Sequence, residues 1–416
     1  MNIDTDMSLS IQHRRDCQRC LFFLLKFVGV KLRRLDMAAE RKLSILINGP
    51  LPPPLGGMAT YCEDYLCSPL SEEFELIFCR AILIKSVFTK KGLLRFFLRT
   101  FNSILIILVW IVMLVMRRVD ISHVHTNSYG GFYVKAVLSI LARIFGARTI
   151  LHMHGAEFKA FYTGMARWNK WLTRRLINMN SYLIVLSKEW RDFFESIGIQ
   201  KDRIVVISNS VYLPDLRSRK KASNRLTVLF MSRFERRKGI YELLAAIESR
   251  KDFLKNCRFV LAGPKTDEWH SISERIERSG LSLLVDLPGS LVGDTKDRAY
   301  READIYILPS YAEGMPIGLL EAMSYGLACI TTPVGGIPDV IRDHENGLLI
   351  EPGSVEALSM ALEKIATSAE LCRRIGEQAR GTIQERFNWD VRTKELSCLY
   401  RKLTMRKADI MDTKVE

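Results

Sequence analysis

From Leu43 onward the chain alternates short β-rich runs with helix-length stretches, and this alternation is the strongest constraint on its fold. Runs over Leu43–Asn48, Leu76–Ile82, Ile121–Thr126, Thr149–Met153, Tyr182–Leu186 and Ile204–Ile207 read as strands, with helical stretches such as Phe132–Ile144 and Met165–Met179 between them. Strands that alternate with helices predict a parallel sheet covered on both faces. A second series opens at Leu226–Phe230 and continues through Arg258–Leu261, Leu284–Leu287, Ile305–Leu308, Ala328–Thr331 and Leu348–Ile350. Between the two series, Tyr212–Asn224 holds Pro, Ser and a Lys/Arg cluster and reads as a linker. The expectation is an α/β chain with two Rossmann-like domains joined near residue 215. Its parts are an N-terminal extension over 1–40, a first domain over 41–214, a second over 215–385, and a helix and tail over 386–416.

Composition agrees with a globular chain of this size: 416 residues, 48% hydrophobic and 26% charged, with no low-complexity tract. The nine cysteines show no repeated pairing pattern, which favours core thiols and a cytosolic compartment. Charge is unevenly divided. Residues 1–210 carry 29 Lys+Arg against 16 Asp+Glu, whereas the remaining 206 carry 32 against 30. A basic first half favours a polyanionic surface. No nucleic-acid-binding signature accompanies it, so the expected partner is an anionic membrane and not a nucleic acid.

Two segments bear on the membrane. In the extension, Arg14, Arg15 and Arg19 precede a short apolar stretch broken by Lys26, but no small-residue cleavage site follows as a signal peptide requires. The extension reads as an amphipathic surface segment, or as residues upstream of a start at Met37. Cys17-x-x-Cys20 and Asp4-Thr-Asp6 within it read as chance. The second segment, Ile104–Met116, is an uninterrupted apolar run flanked by Arg95, Arg99, Arg117 and Arg118. It is short of the ~20 residues a spanning helix needs. It reads as a buried crossover helix, with a helix at the membrane interface as the alternative its basic flanks allow.

Four clusters carry candidate chemistry. Gly56-Gly57 lies between the first strand and a helix, where backbone N–H groups approach a phosphate closely; it is neither G-x-G-x-x-G nor a Walker sequence. Arg233 and Lys238-Gly239 follow the first strand of the second series, at the strand end where open α/β sheets bind ligands, and suit a pyrophosphate. Glu313-Gly314-Met315-Pro316-Ile317 and Glu321 follow Ile305–Leu308, with Pro316 fitting the start of a helix that ends near Gly326. Two carboxylates at one strand end can hold sugar hydroxyls or flank a glycosidic centre. His152 and His154 end one strand on one face, and His123 and His125 end its neighbour. Two histidines at that spacing suit a metal, but no matched carboxylate or thiol cluster accompanies them, and no metal is expected.

In their order along the chain, Gly56-Gly57, His154-Gly155, Arg233 with Lys238-Gly239, Leu261-Ala262-Gly263 and Glu313-x7-Glu321 resemble the retaining glycosyltransferases of family 4, over roughly residues 43–403. Ser208-Asn209-Ser210-Val211 stands where that family often shows Pro-Asn-Gly-Val, and Arg386-Phe387-Asn388-Trp389-Asp390 looks like its lead-in to a last helix. The resemblance implies the GT-B fold: two Rossmann-like domains facing across a cleft, with a C-terminal helix crossing back to the first. It implies that the second domain binds a sugar nucleotide, uridine-linked by preference, and the first a glycan or lipid-linked acceptor. Arg233 and Lys238 would then neutralise the diphosphate without metal or other cofactor, with Gly56, Gly57 and Gly263 beside the donor. Glu321 would hold the ribose; Glu313 with Gly314, Met315, Pro316 and Ile317 would hold the sugar, and His154 would touch it from the acceptor side. The expected setting is cell-surface polysaccharide synthesis, cytoplasmic and peripheral on the inner face of the membrane. The rival readings are a sugar-nucleotide epimerase of related fold, a hydrolase using the carboxylate pair, and a basic membrane- or nucleic-acid-binding module without catalysis.

Overall fold

The computed structural model describes residues 41–52, 56–81, 92–216 and 225–405. The expectations for Asp4, Asp6, Cys17, Cys20, the start at Met37 and linker residues 217–224 lie outside the described residues.

In chain order the first half runs β1 (Ser44–Gly49), α1 (Gly57–Leu66), α2 (Leu70–Glu73), β2 (Glu75–Arg80), α3 (Gly92–Met116), β3 (Ile121–Thr126), α4 (Gly130–Ile144), β4 (Arg148–Met153), α5 (Phe158–Thr163), α6 (Arg167–Asn178), β5 (Tyr182–Val185), α7 (Lys188–Ser196) and β6 (Ile204–Val206). Its strands form one parallel sheet in the order β2-β1-β3-β4-β5-β6. The second half runs β7 (Leu226–Met231), α8 (Ile240–Ser249), β8 (Cys257–Ala262), α9 (Trp269–Arg278), β9 (Val285–Gly289), α10 (Asp294–Glu302), β10 (Ile305–Leu308), α11 (Ile317–Ser324), β11 (Ala328–Thr331), β12 (Leu348–Leu349), α12 (Val355–Ala366), α13 (Ala369–Arg386) and α14 (Trp389–Thr404). Its parallel sheet has the order β12-β11-β10-β7-β8-β9. Each expected strand is present; the expected helix over Met165–Met179 is α6, and a separate short helix, α5, precedes it.

Strand order positions the site. In the second sheet the chain moves outward from β7 through β8 and β9, then returns to β10 on the other side of β7. The loops leaving β7 and β10 therefore part, and open a crevice at the carboxyl ends of the strands. The first sheet has the same kind of break between β1 and β3. A single apolar cluster joins one face of the first sheet (Ile45, Ile47, Ile121, Ile150) to the second (Val228, Phe230, Ile305, Ile307). A separate cluster packs α3, α4, α6 and α7 onto the opposite face of the first sheet.

The last helix crosses back. Asn388 caps α14 by accepting a hydrogen bond from Val391 N–H at 3.0 Å, which ends α13 and redirects the chain. Trp389, fully buried, then packs on Tyr61 and Tyr65 of α1 with ring centroids 5.3 and 6.2 Å away. Further along α14, Tyr400 meets His123 Nδ1 at 2.6 Å and the Tyr65 hydroxyl, while Ser397 donates to Glu73 at 2.6 Å.

One expectation fails here. The apolar run Ile104–Met116 is the second half of the 25-residue α3, and it is not a buried crossover helix. Only a stripe of Asn102, Ile106, Trp110 and Leu114 is buried, with Trp110 Nε1 donating to Leu138 O at 2.9 Å. Ile104, Leu108, Val112 and Val115 on the other side are each more than half exposed. An unbroken apolar sequence conceals such a division, because no polar residue marks the outer face.

Removing the indole that anchors α14 leaves a large cavity between the halves. Trp389→Ala is expected to cost about 3–5 kcal/mol, read as a lowered denaturant midpoint; an unchanged midpoint would show that α14 is not holding the halves together.

Candidate active site

The loop after β7 ends in a 3₁₀ turn, Arg236–Lys238, and then Gly239 at φ 72°. A Cβ on Gly239 would lie 2.0 Å from Pro309 O, so glycine alone lets the β7 loop press against the β10 loop. The turn delivers Lys238 Nζ to within 2.6 Å of Glu313 Oε1, and Ser310 Oγ donates to the same oxygen at 2.8 Å. Side-chain exposure is 14% for Lys238 and 5% for Glu313, low enough that removing either charge strands the other. Arg237 adds a second tie between the loops by donating to Ala312 O at 2.7 Å. Arg233 stands further out, half exposed, its Nε 2.5 Å from Glu235 Oε1. Burial pushes the Glu235 carboxyl up, but the Arg233, Arg237 and Lys238 charges outweigh it and hold the group below its usual range.

Beyond Glu313, Pro316 caps α11 and Ile317 is its first residue. Glu321 follows a turn later, held between Lys296 Nζ of α10 at 2.5 Å and the Tyr300 hydroxyl at 3.0 Å. The two glutamates therefore occupy the loop and the first turns of one helix, each with its own lysine.

The first half closes on the same place. Gly56 caps α1 and Gly57 begins it, and a Cβ on Gly57 would lie 3.5 Å from Ile317 Cγ1. A Cβ on Gly314 would lie 3.1 Å from His154 O. Asn209 Nδ2 donates to Met315 O at 2.7 Å and Lys188 N–H to Asp339 Oδ2 at 2.8 Å, binding the two halves across the cleft. The N-termini of α1 and α11 thus face each other, each with unsatisfied N–H groups and a positive dipole end. Lys238 adds a full charge nearby, so the arrangement suits an anion.

Behind His154 lies a stack of buried imidazoles. His125 Nδ1 is 3.0 Å from His154 Nε2, and His123 Nε2 is 3.1 Å from His152 Nδ1. Burial pushes His154 and His123 down to about 3 and holds His125 and His152 well below their usual value. His154 is therefore neutral near pH 7 and acts as a hydrogen-bonding group, not a counter-ion. His123, His125 and His152 have ring nitrogens within 4.8 Å of one another, but the Lys135 charge acts on His125 and the neighbouring Cys62 thiol is pushed up by burial. The imidazoles form two bonded pairs, His123 with His152 and His125 with His154, and leave the buried His125 Nε2 and His152 Nε2 without a partner among the described residues.

Of the residues singled out in the sequence, the structure brings together Gly57, His154, Lys238, Glu313, Gly314, Met315, Pro316 and Ile317. Gly56 caps α1 beside them, Glu321 lies one turn deeper, and Arg233 is turned to Glu235. Gly263 packs behind the β7 loop, where a Cβ would lie 2.0 Å from Ser232 O. Sequence reasoning missed Ser310, Lys296, Tyr300 and the Gly335-Gly336 turn, and it noted Asn209 only as part of a motif, without its contact to Met315. At that turn Gly335 has φ 59° and would place a Cβ 1.9 Å from Glu313 O. The glycine pair was a readable signal; nothing in the sequence marked Lys296 as the partner of Glu321.

Asp64 of α1 was also missed. Burial, and then the Glu321 carboxylate, push its carboxyl up to about 8 against the opposing pull of Lys296. Folded Asp64 keeps its proton to about pH 8, while the unfolded chain releases it near pH 4, so folding stability falls as pH rises through that window. Asp64→Asn is expected to remove up to one proton's worth of this slope and to raise the denaturant midpoint near pH 8. Parallel stability–pH curves for variant and wild type would contradict it.

Comparison with known proteins agrees with this geometry. A family profile described as Glycosyltransferase Family 4 matches residues 69–213, and one described as Glycosyl transferases group 1 matches residues 214–382. TuaC of Bacillus subtilis, named for teichuronic acid biosynthesis, is 28% identical over 68% of this chain and 71% of its own. Among solved structures, sucrose-phosphate synthase from Thermosynechococcus elongatus superposes with TM-score 0.71 at 18% identity, covering 87% of this chain and 99% of that one. HepE of Anabaena, solved in complex with UDP-glucose, superposes with TM-score 0.66 at 18% identity, covering 86% of this chain and 100% of that one. The fold is GT-B, and the two matched profiles lie end to end across both halves of the molecule: the chain belongs to the family 4 glycosyltransferases.

Proposed function

We propose that this glycosyltransferase acts with retention of configuration. It moves a sugar from a nucleoside diphosphate sugar, uridine-linked by preference, to a glycan or lipid-linked acceptor in cell-surface polysaccharide assembly. The observation that carries the reading is the meeting of Lys238–Glu313 and the α11 N-terminus with Gly57 and His154 across the cleft. The HepE complex and the teichuronic acid biosynthesis for which TuaC is named support the donor and the polymer class.

In this reading the diphosphate lies between the two helix N-termini. Lys238 faces it, and Arg233 swings from Glu235 to it, since a doubly charged group attracts the guanidinium more strongly than one carboxylate. The leaving charge is thereby stabilised by groups already in place, with no metal required of the protein. Glu321, fixed by Lys296 and Tyr300, accepts from the ribose hydroxyls. Glu313 is neutralised by Lys238 and bonded to Ser310, which weakens it as a nucleophile and suits it to accept from a sugar hydroxyl. Attack then comes from the acceptor on the face the diphosphate leaves, with neutral His154 hydrogen-bonded to the sugar from the first half. In the same reading the acceptor side docks on the anionic cytoplasmic leaflet, where lipid-linked acceptors are met, and the excess of Lys and Arg in the first half supports this.

Thermal shift and hydrolysis against a panel of sugar nucleotides test this on wild type and Glu321→Ala. One donor is expected to raise the Tm of wild type, with the variant's response at least tenfold weaker. A donor converted to its epimer without transfer would favour the epimerase. No response to any donor by the folded protein would favour the basic binding module.

A further inference from the structure

We propose that α3 is a membrane-embedded helix that lies in the plane of an anionic phospholipid leaflet without spanning it, and that it anchors the enzyme together with α6. This rests on the membrane-surface reading above and names the element responsible.

By length and composition alone, α3 suffices to cross a bilayer. Its packing says otherwise. The stripe Asn102, Ile106, Trp110 and Leu114 is seated on the first half's outer cluster, with Trp110 hydrogen-bonded to Leu138 of α4. A helix fixed to its own domain along one side cannot also be ringed by lipid. Its opposite side presents Phe97, Phe101, Ile104, Leu108, Val112 and Val115, each more than half exposed. Their spacing of three and four residues puts them on one face. That is the geometry of an interfacial helix with its apolar side in the acyl boundary.

Charge selects the lipid. No acidic residue occurs in α3, and Arg117 and Arg118 follow its last turn. There they line a groove of about 530 Å³ with Arg148, beside Leu114 and Phe145. Arg117 and Arg118 each pair with an acid at long range, 3.5 Å to Glu75 and 4.0 Å to Asp120, pairs that solvent screens and a phosphate can displace. On the far side of α4, α6 carries Arg167, Lys170, Arg174 and Arg175 without an acid, and exposes Trp168 and Trp171. Tyr133 of α4 bonds Asn169 of α6 at 2.6 Å, so α3, α4 and α6 share one face. Exposed Ile144 and Phe145 continue that face between them. An apolar face with interfacial tryptophans and a set of basic residues are the two signals stable surface anchoring needs.

Vesicle co-sedimentation of the full chain tests the proposal, with phosphatidylcholine alone and with added phosphatidylglycerol. Wild type is expected to bind the anionic vesicles and to be released by about 1 M salt. Leu108→Gln with Val112→Gln should weaken binding at least tenfold, and Arg117→Glu with Arg118→Glu should abolish the preference for anionic lipid. Leu283→Gln, at an exposed leucine of the second half, should change nothing. Donor hydrolysis should survive in every variant, which separates failure of the anchor from failure of the donor-site reading. Binding unaffected by the α3 variants would overturn the proposal, as would attachment that resists salt and needs detergent, the mark of a spanning helix. So would a dimer formed through this face by a protein that ignores vesicles.

Discussion

The ion pair between Lys238 and Glu313 ties the loops of β7 and β10 together where the second sheet's strand order reverses. With both side chains nearly sealed from solvent, neither charge is readily exchanged for water. Everything around it follows from that closure. Gly239 lets the loops approach, Gly335 lets the next turn pass the Glu313 carbonyl, and Pro316 starts α11 so that its N-terminus opens beside the pair. Either glycine replaced by a larger residue would move Glu313 before it touched any ligand. The site is thus built from backbone fit first and charge second.

The first half supplies the other wall and is held there by α14. Trp389 and Tyr400 link that helix to α1 and to the imidazole stack under His154. Tyr400, His123 and His152 form one hydrogen-bonded run and His125 with His154 a second, and the two meet by ring contact, with His152 and His154 centroids 4.2 Å apart. Burial keeps these imidazoles uncharged, so the stack under His154 does not titrate near neutral pH.

The sequence was most legible where local rules decide. Every β-rich run formed a strand because β-branched clusters between turn residues leave little choice. Glu313, Pro316 and Glu321 stood out because a proline-started helix after a buried strand fixes where they must be. Partnerships across long separations were not legible: Asn209 with Met315 and Asp64 with Glu321 depend on how the two halves close, and Lys296 with Glu321 on how α10 lies beside α11 within the second half. The outer face of α3 was hidden for a different reason, since a helix apolar on all sides gives no sequence sign of which side the protein covers. Gly263 carries a packing constraint that its motif did not reveal, since a Cβ there would lie 2.0 Å from Ser232 O.

A crystal structure of the protein with a bound sugar nucleotide would test the account most directly. It should place the diphosphate between the N-termini of α1 and α11, within hydrogen-bond reach of Lys238 and of an Arg233 swung away from Glu235. The ribose hydroxyls should lie on Glu321, and the sugar between Glu313 and His154. A nucleotide bound elsewhere, or bound here with Arg233 still on Glu235 and the ribose away from Glu321, would contradict it.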